Sequence, residues 1–222
     1  RDNGKKKILE VGAGTGRYSV TLAKEGYEVT AIELLENNLA VLKGKAQGLD
    51  HLQAFQGDAL DLSRWEDETF DLTLVLGPMY HLYEKEQVHK AIDEAIRVTK
   101  KDGVIFFAFL SVYAILFNNY LKENLQDGIE ENFTDTYEIR HFEEQLFTGY
   151  DIVEFEELFA GKDIEYMSTV ASYTILELAR KRTDFVMSDE DFEAFTKYHL
   201  AFCEKRELLG ASSHLLYICR KK

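Results

Sequence analysis

Ile8-Leu9-Glu10-Val11-Gly12-Ala13-Gly14-Thr15-Gly16-Arg17-Tyr18-Ser19 decides the reading of this chain. Ile8, Leu9 and Val11 form a short apolar run that carries one acid, Glu10. Glycines at 12, 14 and 16 follow, and a helix-forming stretch starts at once. The order is strand, glycine turn, helix start. Backbone without Cβ lets a ligand lie directly on the chain. A helix N-terminus favours negative or electron-rich ligand groups. The dinucleotide fingerprint G-x-G-x-x-G would need its third glycine at position 17, where Arg17 stands. The glycine spacing therefore disfavours a nicotinamide dehydrogenase.

Outward from this stretch, strand and helix signals alternate through the first half. Strands are expected at 7–11, 28–33, 52–56, 70–76 and 104–110, and helices at 17–25, 36–46 and 84–99. Gly26 suits a helix C-cap. Val88, Ala91, Ile92, Ala95 and Ile96 mark one apolar helical face. Lys101-Asp102-Gly103 reads as the turn into the fifth strand. Strands separated by helices imply an α/β fold with a parallel sheet, whose ligands bind beyond the carboxyl ends of the strands. In the second half, helix is expected at 111–125 and 142–158, and an irregular strand or hairpin at 133–141. Strands are expected at 163–170 and 213–220, with a helix from Ser188 to Glu207 opened by Asp189, Glu190 and Asp191.

Composition narrows the function. The chain has 222 residues, 45% hydrophobic and 30% charged, which suits a single globular α/β domain over 1–222. A net charge of −14 repels phosphate backbones unless a local basic patch forms. Lys5-Lys6-Lys7, Arg180-Lys181-Arg182 and Arg220-Lys221-Lys222 are short and terminal or at helix ends, so solvation is the simpler role. No apolar run approaches the ~20 residues of a membrane span, and no signal peptide is seen. Cys203 and Cys219 are too few for a disulfide framework and are expected as reduced core residues of a cytoplasmic protein. The chain starts at Arg1 rather than Met and enters its first strand at residue 7, so a natural N-terminal segment is expected before it.

Glu10, Gly12, Gly14 and Gly16 spell E-x-G-x-G-x-G, which resembles motif I of the class I S-adenosylmethionine-dependent methyltransferases. In that family the acid ends the first strand and the glycines pass beneath the methionine part of the cofactor. Glu33 lies about twenty residues beyond the turn, where a carboxylate can accept both ribose hydroxyls. It also matches the family's acid at the end of the second strand; the alternative is a surface acid. Asp58 and Ala59 match the positions that meet the adenine amino group and a ring nitrogen. A carboxylate beside a backbone amide complements that edge, although an Asx-turn is the plainer role for Asp58. Leu34 and Leu76 complete the expected cofactor contacts.

Leu76-Gly77-Pro78-Met79-Tyr80-His81-Leu82 resembles a bacterial subgroup of these enzymes and contains the chain's only proline. It does not resemble the Asn/Asp-Pro-Pro-Tyr of amino-group methylases, and no Pro-Cys nucleophile is present. Residues 209–220 look like the subgroup's last strand. The resemblance implies a Rossmann-like seven-stranded sheet of order 3-2-1-4-5-7-6, strand 7 antiparallel, helices on both faces. Residues 111–162 would be a substrate-side insertion or lid.

The implied function is methyl transfer from S-adenosylmethionine, leaving S-adenosylhomocysteine, to an oxygen or nitrogen of a small molecule. An RNA or protein methyltransferase, or a non-catalytic S-adenosylmethionine-binding module, are the alternatives. His81 and Tyr80 are the catalytic candidates: His81 as a base for an acceptor that loses a proton, or as a loop-orienting residue, and Tyr80 as lining or closing the site. Tyr113, Phe117, Tyr120, Tyr137, Arg140 and His141 would suit a small-molecule pocket or a helix core. His214 is expected to be structural, and no Cys/His cluster has metal spacing. Oligomeric state is not legible.

Overall fold

β1 (Lys7–Val11), β2 (Glu28–Glu33), β3 (Leu52–Gln56) and β4 (Phe70–Val75) pair in parallel, with Val11 opposite both Ile32 and Val75 and Glu33 opposite Gln56. β5 (Thr99–Leu110) joins β4 in parallel, and β6 (Ile164–Ala171) and β7 (His214–Lys221) complete the sheet. The order is β3-β2-β1-β4-β5-β7-β6 with β7 antiparallel, as the resemblance implied. These features are those of a computed structural model that describes residues 6–222. Lys5 of the first basic run, and the segment expected before Arg1, lie outside the described residues.

The helices of the first half are α1 (Arg17–Lys24), α2 (Glu36–Lys45) and α3 (Lys85–Val98). Ala23, Leu39 and Leu42 pack on Ile8, Val29, Ala31 and Leu74 to form one core. Val88, Ala91, Ile92 and Ala95 are buried as their spacing demands and Val98 joins them, whereas Ile96, expected on the same face, is only half-buried. Gly26, at φ +97, takes the left-handed position just past the Glu25 cap. A single 3-10 turn, Pro78–Tyr80, follows β4, which ends at Val75 rather than residue 76.

β5 begins five residues earlier than the sequence suggests. Phe70 pairs with Thr99, then the register jumps so that Leu72 pairs with Val104. Lys100–Gly103 forms a bulge within the strand, with Asp102 at φ +62, instead of a turn before it. Thr99 is held by its own side chain, whose oxygen lies 2.6 Å from Ala95 O and 2.7 Å from Thr73 Oγ1.

The helix expected over 111–125 is two helices, α4 (Val112–Asn119) and α5 (Leu125–Asn132). The helix expected over 142–158 shrinks to α6 (Ile152–Glu157). Its first half is a run of turns and bends instead, closed where Tyr150 donates to Leu110 O and accepts from Val112 N–H, at 2.8 and 3.1 Å. A Cβ at Gly149 would sit 2.7 Å from Val112 Cα, so the two segments approach too closely for a helical turn. The irregular hairpin at 133–141 is present, with Phe133 bridging Ile139. α7 (Leu176–Ala179) was not anticipated. Ser188 caps α8 (Asp189–Phe202) as expected, accepting from Asp191 N–H, but the helix stops at Cys203 and α9 (Arg206–Leu209) follows separately. Cys219 is a buried free thiol; Cys203 is only half-buried at the end of α8, contrary to its expected core position.

The chain divides into two compact units. One holds the chain to Ala108 with Phe159–Met167 and Ile218–Lys222; the other holds Phe109–Leu158 and Ser168–Tyr217. No helix among the described residues is long and apolar enough to cross a membrane.

Candidate functional site

The loops after β1, β2, β3 and β4 are tied together at the carboxyl edge of the sheet. Ile32 O accepts from both Gly12 N–H and Ala13 N–H at 2.9 Å, which fastens the glycine turn to β2. Gly57 N–H reaches Glu33 O at 3.2 Å, and Gln56 Nε2 reaches Leu34 O at 3.1 Å. Leu76 N–H points to Val11 O at 3.4 Å. Lys45 Nζ donates to Thr15 O at 2.9 Å, closing the turn from the α2 side.

The three glycines of the motif have different physical jobs, although all lie at positive φ. A Cβ at Gly12 would sit 2.7 Å from Pro78 Cδ. At Gly16 it would collide with the fully buried Leu42. Those two glycines permit close packing within the protein. A Cβ at Gly14 would meet no protein atom within 4 Å. Gly14 therefore presents bare backbone to open space, at the N-terminal side of α1, which is the cradle that a bound group would fill.

Glu33 borders this cradle. It is only 6% exposed, so the surface-acid alternative fails. Its Oε2 accepts from Gly14 N–H at 2.8 Å, and its Oε1 accepts from Leu35 N–H at 3.0 Å and Asn38 Nδ2 at 3.3 Å. A carboxylate offers about four lone-pair sites, so three donors leave one open. Asn38 was not foreseen; its signal is an amide in the first turn of α2, five residues beyond the acid. Asp58 makes an Asx-turn, Oδ1 accepting from Leu60 N–H at 2.9 Å, and its Oδ2 has no hydrogen bond among the described residues. Ala59 is buried, while Leu34 is exposed.

Glu10 is 1% exposed and its carboxylate accepts from the Ser19 hydroxyl, joining β1 to α1. Ser19 was also missed by the sequence reading; it is the one polar side chain buried on α1. Burial pushes the Glu10 carboxyl from 4.5 up to about 7, against the Ser19 bonds and with a smaller push from the Glu33 charge. The folded protein thus holds a proton that the unfolded chain releases near pH 4.5. The contribution of Glu10 to stability is fully present below pH 4.5, falls as pH rises to about 7, and is gone above it. The fall amounts to about 3 kcal/mol at ~1.4 kcal/mol per unit. In denaturant melts across pH 4–8, wild-type stability should fall by about this amount relative to Glu10→Gln as pH rises.

The β4 loop packs against the glycine turn through Pro78 and Gly12. Met79 is fully buried and anchors the 3-10 turn. The Tyr80 hydroxyl donates back to Leu76 O at 3.0 Å, so Tyr80 braces this loop. His81 follows, exposed, with its backbone N–H on Pro78 O at 2.9 Å and its ring 5.2 Å from the Tyr80 ring.

The aromatic candidates of the second unit do not converge on one place. Tyr137 and Arg140 line an open groove of about 960 Å³ beside α5. Tyr120 packs against the buried Val112, Leu116 and Phe133, and its hydroxyl donates to Glu131 at 2.6 Å. Tyr113 and Phe117 are exposed. His141 is held at both ring nitrogens, by Thr148 Oγ1 at 2.5 Å and Glu154 Oε1 at 2.8 Å. His214 lies 3.0 Å from Ser213 Oγ and edge-on to Tyr173, a structural position. No group of three or more His, Cys, Asp or Glu among the described residues could hold a metal ion.

Comparison with known proteins places the chain among similar sequences and folds. Residues 9–107 match the family described as a methyltransferase domain. A putative methyltransferase of Geobacillus sp. strain WCH70 is 28% identical over 218 residues, covering 86% of this chain and 83% of its own. Other curated relatives match about half of this chain or less, and the chain spans less than half of their length. A SAM-dependent methyltransferase from Methanosarcina mazei superposes with a TM-score of 0.64 at 16% identity, over 98% of this chain and 92% of that one. Magnesium protoporphyrin IX methyltransferase from Synechocystis PCC 6803, solved with bound SAH, gives 0.63 at 12% identity, over 100% and 76%. The chain therefore has the Rossmann-like fold of the S-adenosylmethionine-dependent methyltransferases, with a methyltransferase domain matched from residue 9 to residue 107.

Proposed function

We propose that the chain transfers the methyl group of S-adenosylmethionine to an oxygen or nitrogen of a small molecule. The observation that carries this reading is the Gly14–Glu33 cradle: bare backbone facing open space beside a buried carboxylate with an acceptor site to spare. Glu33 would take a ribose hydroxyl at its open acceptor site, Asp58 Oδ2 and the Ala59 amide the adenine edge, and the turn at Gly14 the methionine part, with Leu34 and Leu76 alongside. That cofactor supplies a methyl already activated on a sulfonium. The protein's share of the work is alignment and exclusion of water. Tyr80 keeps the β4 loop in place, and the His81 imidazole takes the proton of an acceptor that must lose one. A chain of net charge −14 favours a small acceptor over a nucleic acid.

Calorimetric titration tests the reading. S-adenosylmethionine and S-adenosylhomocysteine should both bind, and NAD should not. Gly14→Ala should weaken binding at least tenfold, because its Cβ projects into the cradle without touching the protein. Its left-handed φ costs the fold only about 1 kcal/mol. Binding of NAD with no response to either sulfur cofactor would overturn the proposal.

A further inference from the structure

A second cavity lies wholly within the unit that holds α7 and α8. Its volume is about 400 Å³, in the lower part of the ~300–1,000 Å³ range of small-molecule sites. Tyr173, Leu176, Phe185, Met187, Phe192 and Phe195 form its apolar walls. None of these six side chains is fully buried, and no side chain of α8 is. Phe192 is 57% exposed and Tyr173 45%, so much of the wall meets water instead of protein. Removing such surface from water gains roughly 25 cal/mol per Å². The walls thus favour an apolar body small enough to enter.

The polar groups at the rim define the rest of the ligand. Glu177 is already occupied: both its oxygens accept from Ser213, from the amide at 3.0 Å and the hydroxyl at 2.7 Å. Arg182 pairs with Asp184 at 2.6 Å, and the Lys181 ammonium donates to Asn118 O. Arg180, on the same short run, makes no ion pair or side-chain hydrogen bond among the described residues, and it lines the cavity. His199 lines it as well. An unpaired guanidinium at the mouth of an aromatic cavity complements a planar or alkyl body that ends in a carboxylate.

We infer that the α7–α8 cavity is a binding site for a small amphiphilic carboxylate, with its apolar body among Phe185, Phe192 and Phe195 and its anion on Arg180. The site stands independently of the cofactor reading, since none of its residues belongs to the Gly14–Glu33 cradle.

The probes are 2-naphthoate and its charge-reversed partner 2-naphthylmethylammonium, titrated by calorimetry into the full chain. 2-Naphthoate should bind saturably at one site and more tightly than the ammonium. Thr196→Trp places a ring into the cavity from an exposed helix position, so the fold is kept and naphthoate affinity should fall more than tenfold. Arg180→Glu should swing the preference between the two ions by about tenfold, as expected for gaining and losing an exposed pair. Excess S-adenosylhomocysteine should not displace the naphthoate. Equal affinity for the two ions, indifference to both substitutions, or displacement by S-adenosylhomocysteine would each overturn the site.

Discussion

Glu33→Ala is expected to weaken binding of S-adenosylmethionine and S-adenosylhomocysteine about 10- to 150-fold, the equivalent of ~1.5–3 kcal/mol for hydrogen bonds to a charged group. The same substitution strands the Gly14 and Leu35 amides that the carboxylate now accepts. Both amides are only part-buried, so water can replace the lost acceptor, and the cost stays at or below the ~1–3 kcal/mol of a buried unsatisfied donor, within the ~5–15 kcal/mol stability of an ordinary domain. The variant should therefore remain folded with a lowered melting temperature. Glu33→Gln does not rescue it. All the groups that meet this side chain are donors, so an amide NH₂ placed there faces another N–H. Calorimetry with both variants, read beside their thermal melts, checks the claim. Wild-type affinity in a folded Glu33→Ala would show that the ribose is held elsewhere.

How much of this was legible beforehand depends on which interactions set each segment. β1 to β4 and their helices follow local rules: alternating or continuous apolar runs, glycine at left-handed turns, one apolar face on α3. The place of Glu33 at the end of β2 was readable because its distance from the glycine turn is fixed by one helix and one strand. What the sequence could not show was that its carboxylate already serves the glycine turn. That depends on parallel pairing of Val11 with Ile32, a contact between distant residues.

The misread segments are those whose backbone partners lie far along the chain. Lys100–Gly103 looks like a turn, yet Thr99 pairs with Phe70 and draws the strand start back past it. Residues 142–151 have helical composition, but Tyr150 spends its backbone groups on Leu110 and Val112. α8 was visible through its Ser188 cap because capping is local. Its end at Cys203 was not, since Ala171 N–H takes Cys203 O at 2.8 Å across a separation that no local pattern encodes. The aromatics of this half were the hardest to assign. A ring at helical spacing packs equally well in a satellite core, as Phe133 does, or on an open wall, as Phe192 does.

His81→Ala is expected to lower kcat by about 10²- to 10⁴-fold, the usual contribution of a positioned general base. Cofactor affinity should stay within about twofold, because the side chain is not among the groups that form the Gly14–Glu33 cradle. The exposed position keeps the stability cost small, typically within ~0.5 kcal/mol for a surface change. Only the neutral imidazole accepts a proton, so the wild-type rate should climb with pH as the ring deprotonates, and the variant should lose that limb. Tyr80→Phe provides the contrast. It removes the hydroxyl that ties the loop to Leu76 O and leaves the imidazole in place. Its effect should fall on KM and thermal stability, with the pH limb retained. The two substitutions thus separate proton transfer from loop bracing on neighbouring residues. Near-normal turnover by His81→Ala on the true acceptor would remove the base from the mechanism. The site would then act by alignment alone, and the acceptor would be one whose attacking atom needs no deprotonation.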